Sequence, residues 1–169
     1  MPKSNVAERP DSPRIQEIFK LGACILIICG CGFLSGISSV SDLQTWYIHL
    51  EKPFFNPPNF IFGPVWTMLY AAMGVTFYRL LKQNPSSGRS KALVIFCVQF
   101  ILNLLWSCIF FNLHAVGLAF LEILAMLLSI VIMILWVYRV DKLASLIQIP
   151  YALWVTFASI LNGAIVYLN

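Results

Sequence analysis

Five long apolar stretches separated by short polar segments run along this chain, at about residues 21–40, 61–81, 92–112, 115–138 and 143–168. Each is continuous rather than alternating and has the length of roughly 20 residues that a helix needs to cross a bilayer. Helices are favoured over strands because backbone groups in lipid must be paired within the segment. The pattern therefore predicts an all-α membrane protein, a bundle of five transmembrane helices spanning residues 20–169, preceded by a polar tail over residues 1–19.

The composition also indicates a membrane protein and argues against a soluble one. The chain is 60% hydrophobic and only 11% charged, with a mean hydropathy of +0.84, whereas soluble domains carry about 25% charged residues. The five stretches occupy most of the 169 residues, which leaves no room for a separate soluble domain. The partner that composition indicates is thus the lipid bilayer.

The basic residues predict the orientation. Ten of the eleven Lys and Arg residues precede span 1 or lie near the connections between spans 2 and 3 and between spans 4 and 5, and only Lys52 lies on the other side. The positive-inside rule then places the N-terminus in the cytoplasm. The net charge of +4 follows from this topology and does not indicate nucleic-acid binding.

The connector between spans 1 and 2 is rich in proline and aromatic residues. Between Trp46 and Trp66 it contains four prolines, Pro53, Pro57, Pro58 and Pro64. Proline fixes its own φ angle and restricts the residue before it. The composition predicts an ordered, extended path that lies across the outer end of the bundle as a lid.

Tryptophans supply the first candidate chemistry. Trp46 and Trp136 lie at span ends, where amphipathic rings favour the membrane interface. Trp66, Trp106 and Trp154 lie inside spans at depths that can all fall beneath the connector. An aromatic cavity of this kind suits a large, flat, apolar ligand. Packing of each ring against lipid or a neighbouring helix is the equally simple alternative.

Polar residues inside the spans are the second candidate set. Asn103 and Asn162 must find partners away from water. Glu122 is the one carboxylate well inside a span, and such groups usually face an interior or a cavity. It either contacts a ligand or forms a protonated hydrogen bond between helices. No histidine lies inside a span, which argues against axial haem ligation. No metal cluster or conventional catalytic constellation is visible, so no metal site is predicted.

Three further features predict helix packing. Gly32 and Gly36 are spaced to let another helix approach closely, either within the chain or in a dimer. Spans 3 and 4 are joined by a short link around Asn112, Leu113 and His114. A link of this length predicts that the two spans form an antiparallel hairpin. Pro150 should kink or loosen the last span, because it cannot donate a backbone hydrogen bond.

Three motifs, in order along the chain, resemble those of the translocator protein family, which is also called TspO/MBR, tryptophan-rich sensory proteins or peripheral-type benzodiazepine receptors. They are the 46–66 connector, Gln99-x-x-x-Asn103-x-x-Trp106 in span 3, and Pro150-Tyr151-x-x-Trp154-x-x-Phe157-Ala158-x-x-x-Asn162 in span 5. The resemblance implies a five-helix membrane receptor or carrier that binds protoporphyrin or a related tetrapyrrole as its ligand, needs no cofactor, and often forms a homodimer. The alternative functions are light-dependent porphyrin degradation at Trp66 and Trp154, binding of a sterol or lipid, and a structural role as a membrane partner without a small ligand.

The resemblance also implies the binding residues. The candidate ligand-binding set is Trp66, Trp106, Trp154, Asn103, Glu122, Tyr70, Phe157, Pro57 and Trp46. The chain departs from animal members at Leu118, where they often have tryptophan, and it lacks their sterol motif after span 5. Both departures point away from sterol binding and toward a bacterial-type member in a bacterial membrane; in a eukaryote the expected location is the mitochondrial outer membrane.

Overall fold

The computed structural model describes residues 13–37 and 39–169, and the regular secondary structure in these ranges is helical, with no strand. The α-helices, in chain order, are α1 (Pro13–Ile37), α2 (Val40–Thr45), α3 (Phe62–Lys82), α4 (Ser87–Ser107), α5 (Val116–Val140), α6 (Lys142–Ile147) and α7 (Ile149–Leu168). By length and composition, five helical segments of the described chain can cross a membrane: Arg14–Ile37, Asn59–Lys82, Ser87–Asn112, Val116–Val140 and Lys142–Leu168. The predicted all-α five-span class is confirmed.

The ends of the first span differ from the 21–40 stretch of the hydropathy pattern. Helix α1 begins at Pro13, which suits the first helical turn because its missing N–H would have no partner there. The predicted cap at Ser12 and the rest of the tail before it lie outside the described residues. The helix ends at Ile37, and the separate helix α2 begins three residues later at Val40.

The last span is broken as Pro150 predicts. Helix α6 ends at Ile147 and α7 begins at Ile149, with the proline in its first turn. The side chain of Gln148 fills the break and donates hydrogen bonds to the carbonyl of Ala72 at 3.2 Å and to Oγ1 of Thr76 at 2.7 Å. The junction is therefore tied to α3 at the middle of the bundle.

Close helix packing holds the bundle together. The most extensive contacts join α4 to α5 and α1 to α3. A Cβ atom added to Gly74 would lie 2.6 Å from Cα of Ile25, so the backbones of α1 and α3 touch there. Only one glycine of the expected pair is closely packed. A Cβ atom added to Gly32 would clash with the ring of Tyr70, whereas one added to Gly36 would meet nothing within 4 Å in the described structure.

The predicted hairpin between spans 3 and 4 is confirmed. The end of α4 continues as a π-helical turn, Cys108–Asn112, in which the N–H of Leu113 reaches back to the carbonyl of Cys108 at 3.0 Å. His114 then adopts a left-handed conformation with φ of 52°, which histidine tolerates better than most residues. This tight turn places α4 and α5 side by side.

The connector over residues 39–61 contains α2 and two 3₁₀ turns, Tyr47–His49 and Asn59–Ile61. It is fixed at two places. Asp42 lies 3.2 Å from the imidazole Nε2 of His114, on which Trp46 stacks at 4.3 Å. The side chain of Asn169 bonds both the N–H and the carbonyl of Glu51, at 3.0 and 3.1 Å. The connector thus lies across one end of the bundle, which we call the connector end.

Candidate functional site

A cavity of about 760 Å³ lies beneath the connector, inside the connector end of the bundle. Helices α1, α3, α4, α5 and α7 all contribute to its wall, and the connector closes it with Leu43, Tyr47 and Asn59. The lining is almost entirely apolar or aromatic, and none of its described residues is charged. Several lining side chains of α1, including Phe33 and Leu26, are also exposed on the surface of the bundle. The cavity therefore reaches the outer face of α1.

The three tryptophans expected beneath the connector all line this cavity. Trp66 stacks on Tyr70 with ring centres 5.4 Å apart, and Trp106 stacks on Phe110 at 5.0 Å. Trp154 meets Phe62 edge to face at 5.8 Å. Because they come from α3, α4 and α7, the rings surround the space instead of covering one side. A flat apolar molecule could contact more than one of them at once.

Hydrogen bonds link four polar side chains from three helices, which we call the polar chain: Tyr70, Asn103, Tyr151 and Gln99. Tyr70 donates its hydroxyl proton to Oδ1 of Asn103 at 2.8 Å. Nδ2 of Asn103 donates to the hydroxyl of Tyr151 at 3.1 Å, and that hydroxyl donates to Oε1 of Gln99 at 3.0 Å. Tyr70 and Asn103 line the cavity, so this chain connects the wall to the bundle interior.

Asn162 fixes the position of a tryptophan. Its Oδ1 accepts from the indole Nε1 of Trp106 at 3.2 Å, and its Nδ2 donates to the carbonyl of Val116 at 3.2 Å. The indole N–H of Trp154, in contrast, is buried and has no acceptor among the described residues. A buried N–H without a partner is costly, and this one is enclosed by protein atoms instead of facing the cavity.

Glu122 is one of the candidate ligand-binding residues, but it is not among the residues lining the cavity. Ile123 and Met126 of the same helix do line it. The two carboxyl oxygens are buried and make no hydrogen bond within the described structure. The expected interior hydrogen bond is therefore not formed here either.

Trp46, Pro57 and Phe157 also lie outside the cavity wall. Trp46 packs against Phe110 and His114, behind the cavity. Pro57 belongs to the connector, where its carbonyl accepts a hydrogen bond from Asn56 at 3.3 Å. Phe157 lies with Trp154 in an apolar groove between α3 and α7 on the outside of the bundle. These residues support the wall instead of forming it.

Sequence reasoning missed several wall residues, above all Tyr47. This residue is 5% exposed, and its hydroxyl donates to Oδ1 of Asn56 at 3.1 Å. Burial raises the pKa of Tyr47, so the hydroxyl keeps its proton and the hydrogen bond. The one available signal was its position in the proline-rich connector beside Trp46. Phe110 and Phe33 were missed as well, because nothing distinguishes them from phenylalanines that face lipid.

Comparisons with known proteins agree with this architecture. Residues 23–168 match the TspO/MBR family. The chain is 40% identical over 153 residues to the tryptophan-rich protein TspO of Archaeoglobus fulgidus, covering 90% of this chain and 99% of the relative. It is 28% identical over 145 residues to a tryptophan-rich sensory protein of Cereibacter sphaeroides, covering 86% and 90%. It is 34% identical over 120 residues to the human translocator protein, covering 69% and 70%. With five apolar helices and a family match over nearly all of them, this chain is an integral, multi-pass membrane protein that belongs to the TspO/MBR family.

Proposed function

We propose that this protein binds a tetrapyrrole such as protoporphyrin in the cavity and acts as a receptor or carrier for it in the membrane. The observation that carries the proposal is the convergence of Trp66, Trp106 and Trp154 on one cavity of about 760 Å³. That volume is within the range of small-molecule sites, about 300–1,000 Å³. The names of relatives, which include a translocator protein and a sensory protein, fit a role in handling such a ligand.

Each part of the wall has a chemical task in this proposal. The indoles supply faces for offset stacking, an arrangement worth about 0.5–1.5 kcal/mol for each ring pair. The N–H of Trp154 is enclosed by protein, so Trp154 contributes its ring face and no hydrogen bond. Tyr70 and Asn103 supply polar atoms to the wall. We assign no direct ligand contact to Glu122, because it lies outside the wall.

Titration of the purified protein with protoporphyrin, followed by quenching of tryptophan fluorescence, tests the proposal. We expect saturable quenching in the wild type. The Trp66→Leu, Trp154→Leu variant should bind about 5- to 100-fold more weakly, because two stacking contacts are lost. The matched control is Trp136→Leu, since Trp136 lies between Lys91 and Arg139 at the far end of the bundle and should not affect affinity.

The same titration separates the alternatives. Quenching that never saturates in the wild type, or an equal loss of affinity in the control, would contradict a site in this cavity. Displacement of bound protoporphyrin by a sterol would favour the sterol ligand instead. Illumination of the loaded samples tests degradation: equal porphyrin loss in the wild type and in a Trp66→Phe, Trp154→Phe variant would argue against tryptophan-dependent chemistry.

A further inference from the structure

The polar chain of Tyr70, Asn103, Tyr151 and Gln99 has a direction. Every link points away from the cavity, because each amide accepts on its oxygen and donates from its nitrogen. A tyrosine hydroxyl has a single proton, and that of Tyr70 is given to Asn103. Toward the cavity Tyr70 can therefore only accept a hydrogen bond.

The far end of the chain is incomplete. Gln99 is 0% exposed, and its side-chain Nε2 has no hydrogen-bond partner among the described residues. A buried amide donor without an acceptor costs about 1–3 kcal/mol. The far end therefore presents a donor that lacks an acceptor.

Glu122 is the complementary group. It precedes Met126 by one turn of α5, and the sulfur of Met126 lies 3.7 Å from the hydroxyl of Tyr151. Glu122 is close enough to Tyr151 to interact with it electrostatically, and its two buried oxygens have no donor among the described residues. Buried acceptors without donors and a buried donor without an acceptor thus occur around the same tyrosine hydroxyl.

Few other titratable groups face this hydroxyl. Within the described chain they are Tyr70 from α3 and Cys29 from α1, which interacts electrostatically with Tyr70. Lys91 and Cys97 of α4 and Lys142 of α6 are exposed on the bundle surface, and Arg89 of α4 donates to the carbonyl of Leu80. The ion pair of Asp141 and Arg79 lies at the end of α5 remote from the connector. Glu122 is thus the group whose charge can change next to the chain.

We propose that the protonation state of Glu122 sets the direction of the polar chain, and thereby whether Tyr70 accepts from or donates to a bound ligand. Ionised Glu122 is an acceptor, which matches the free N–H of Gln99 and the direction seen in the structure. Protonated Glu122 is a donor, which matches the oxygen of Gln99 and requires the reverse direction. This inference rests on the proposed function, because it concerns a ligand in the same cavity.

Reversal needs no covalent change apart from the proton on Glu122. The amides of Asn103 and Gln99 exchange their oxygen and nitrogen by a half-turn, which keeps their shape. Gln99 then donates to Tyr151, Tyr151 donates to Asn103, and Asn103 donates to Tyr70. The hydroxyl proton of Tyr70 is released toward the cavity, where it can meet a ligand acceptor. The specificity of the site thereby depends on a residue outside its wall.

Two neutral porphyrins test this inference: the diol made by reducing both propionates of protoporphyrin, and its bis(methyl ether). The diol can donate a hydrogen bond through its side arms, whereas the ether can only accept, and neither side arm titrates. Affinities come from tryptophan quenching over about pH 5.5 to 8.5, the range in which a perturbed carboxyl group can titrate. We expect the wild type to bind the diol about tenfold more tightly than the ether at the highest pH of this range, and the preference to decrease as pH falls.

Three variants complete the experiment. Glu122→Gln cannot ionise and should make the preference independent of pH. Tyr70→Phe should remove the preference at every pH. Tyr138→Phe, an exposed tyrosine at the other end of the bundle, is the matched control and should behave as the wild type. A second readout on unmodified protein is the infrared carbonyl band of a protonated carboxyl group, which should grow over the same pH range as the preference declines.

The outcomes are distinguishable from failure of the proposed function. A preference that does not change with pH in the wild type, or one that still changes in Glu122→Gln, would overturn the inference. A carbonyl band whose midpoint differs from that of the preference would do the same. Absence of saturable quenching by both porphyrins in the wild type would instead count against the cavity as a tetrapyrrole site.

Discussion

At the scale of single residues, Asn162 joins three helices through two hydrogen bonds. It lies on α7, is 2% exposed, accepts from Trp106 of α4 and donates to the carbonyl of Val116 at the start of α5. Apolar packing alone does not drive helices together in lipid, because lipid tails are as apolar as the side chains. Polar links of this kind therefore carry much of the specificity of the bundle.

Asn162→Leu should lower the free energy of unfolding by about 1–3 kcal/mol, because it leaves the indole N–H of Trp106 without a partner and removes the additional hydrogen bond to the carbonyl of Val116. Unfolding by a denaturing detergent in mixed micelles measures the difference. The control is Thr156→Val, since the exposed Thr156 bonds only within its own helix and its loss should cost less than about 0.5 kcal/mol. Equal losses in the two variants would contradict the role of Asn162.

Residue depth was predictable, but residue direction was not. Trp66, Trp106 and Trp154 could be placed beneath the connector because a helix rises by a constant amount for each residue. Glu122 was placed at the level of the cavity, yet it lies outside the wall that Ile123 and Met126 form. Helix α5 is apolar around its whole circumference, so hydrophobic periodicity cannot show which face is turned inward. Only the packing of the neighbouring helices determines that rotation.

At the scale of helices, Asp141 connects three of them. It follows α5 and caps α6, where its carboxylate accepts a hydrogen bond of 3.0 Å from the N–H of Ala144. Arg79 of α3 donates two hydrogen bonds of 2.9 Å to its carboxylate, and Gln83 adds one of 3.0 Å. Burial by itself would raise the pKa of Asp141, but these donors together outweigh it and hold the pKa below the ordinary value of 3.8.

This shift predicts a pH dependence. Because the folded pKa is lower than the unfolded one, the stabilisation is fully present above about pH 4 and is lost as pH falls through the lower, folded value. Asp141→Asn should therefore lower the free energy of unfolding by about 2 kcal/mol near neutral pH, less than a fully buried pair would give, because Arg79 is partly exposed. The same detergent unfolding measures this. The difference from wild type should shrink below about pH 4; a difference that stays constant would contradict the role of the charge.

Helix boundaries followed the sequence where a local signal exists. Pro150 predicts the break between α6 and α7, and the short link at His114 predicts the hairpin of α4 and α5. The internal structure of the connector was not predicted, since its prolines suggested an extended path. Helix α2 lies before the first of those prolines and is too short to be stable alone. Its contacts with His114 and the end of α4 supply the missing stabilisation.

At the scale of the whole molecule, orientation remains a prediction. With five spans, the connector end and the connections between α3 and α4 and between α5 and α6 must face opposite sides of the membrane. Ten of the eleven Lys and Arg residues come before residue 21 or lie beside those two connections. Lys52, the one Lys or Arg among the described residues of the connector end, lies over the ring of Tyr47 and donates to backbone carbonyls. Its ammonium group thus interacts with the connector itself.

A pair of single cysteine variants tests the orientation in intact cells. Ser41 in α2 and Ser90 in α4 are both exposed, but they lie at opposite ends of the bundle. We expect a membrane-impermeant maleimide to label Ser41→Cys in intact cells and Ser90→Cys only after permeabilisation, because the basic connections stay in the cytoplasm. The unmodified protein is the control, since its five cysteines all lie within membrane helices. The opposite labelling pattern would show that the connector end faces the cytoplasm.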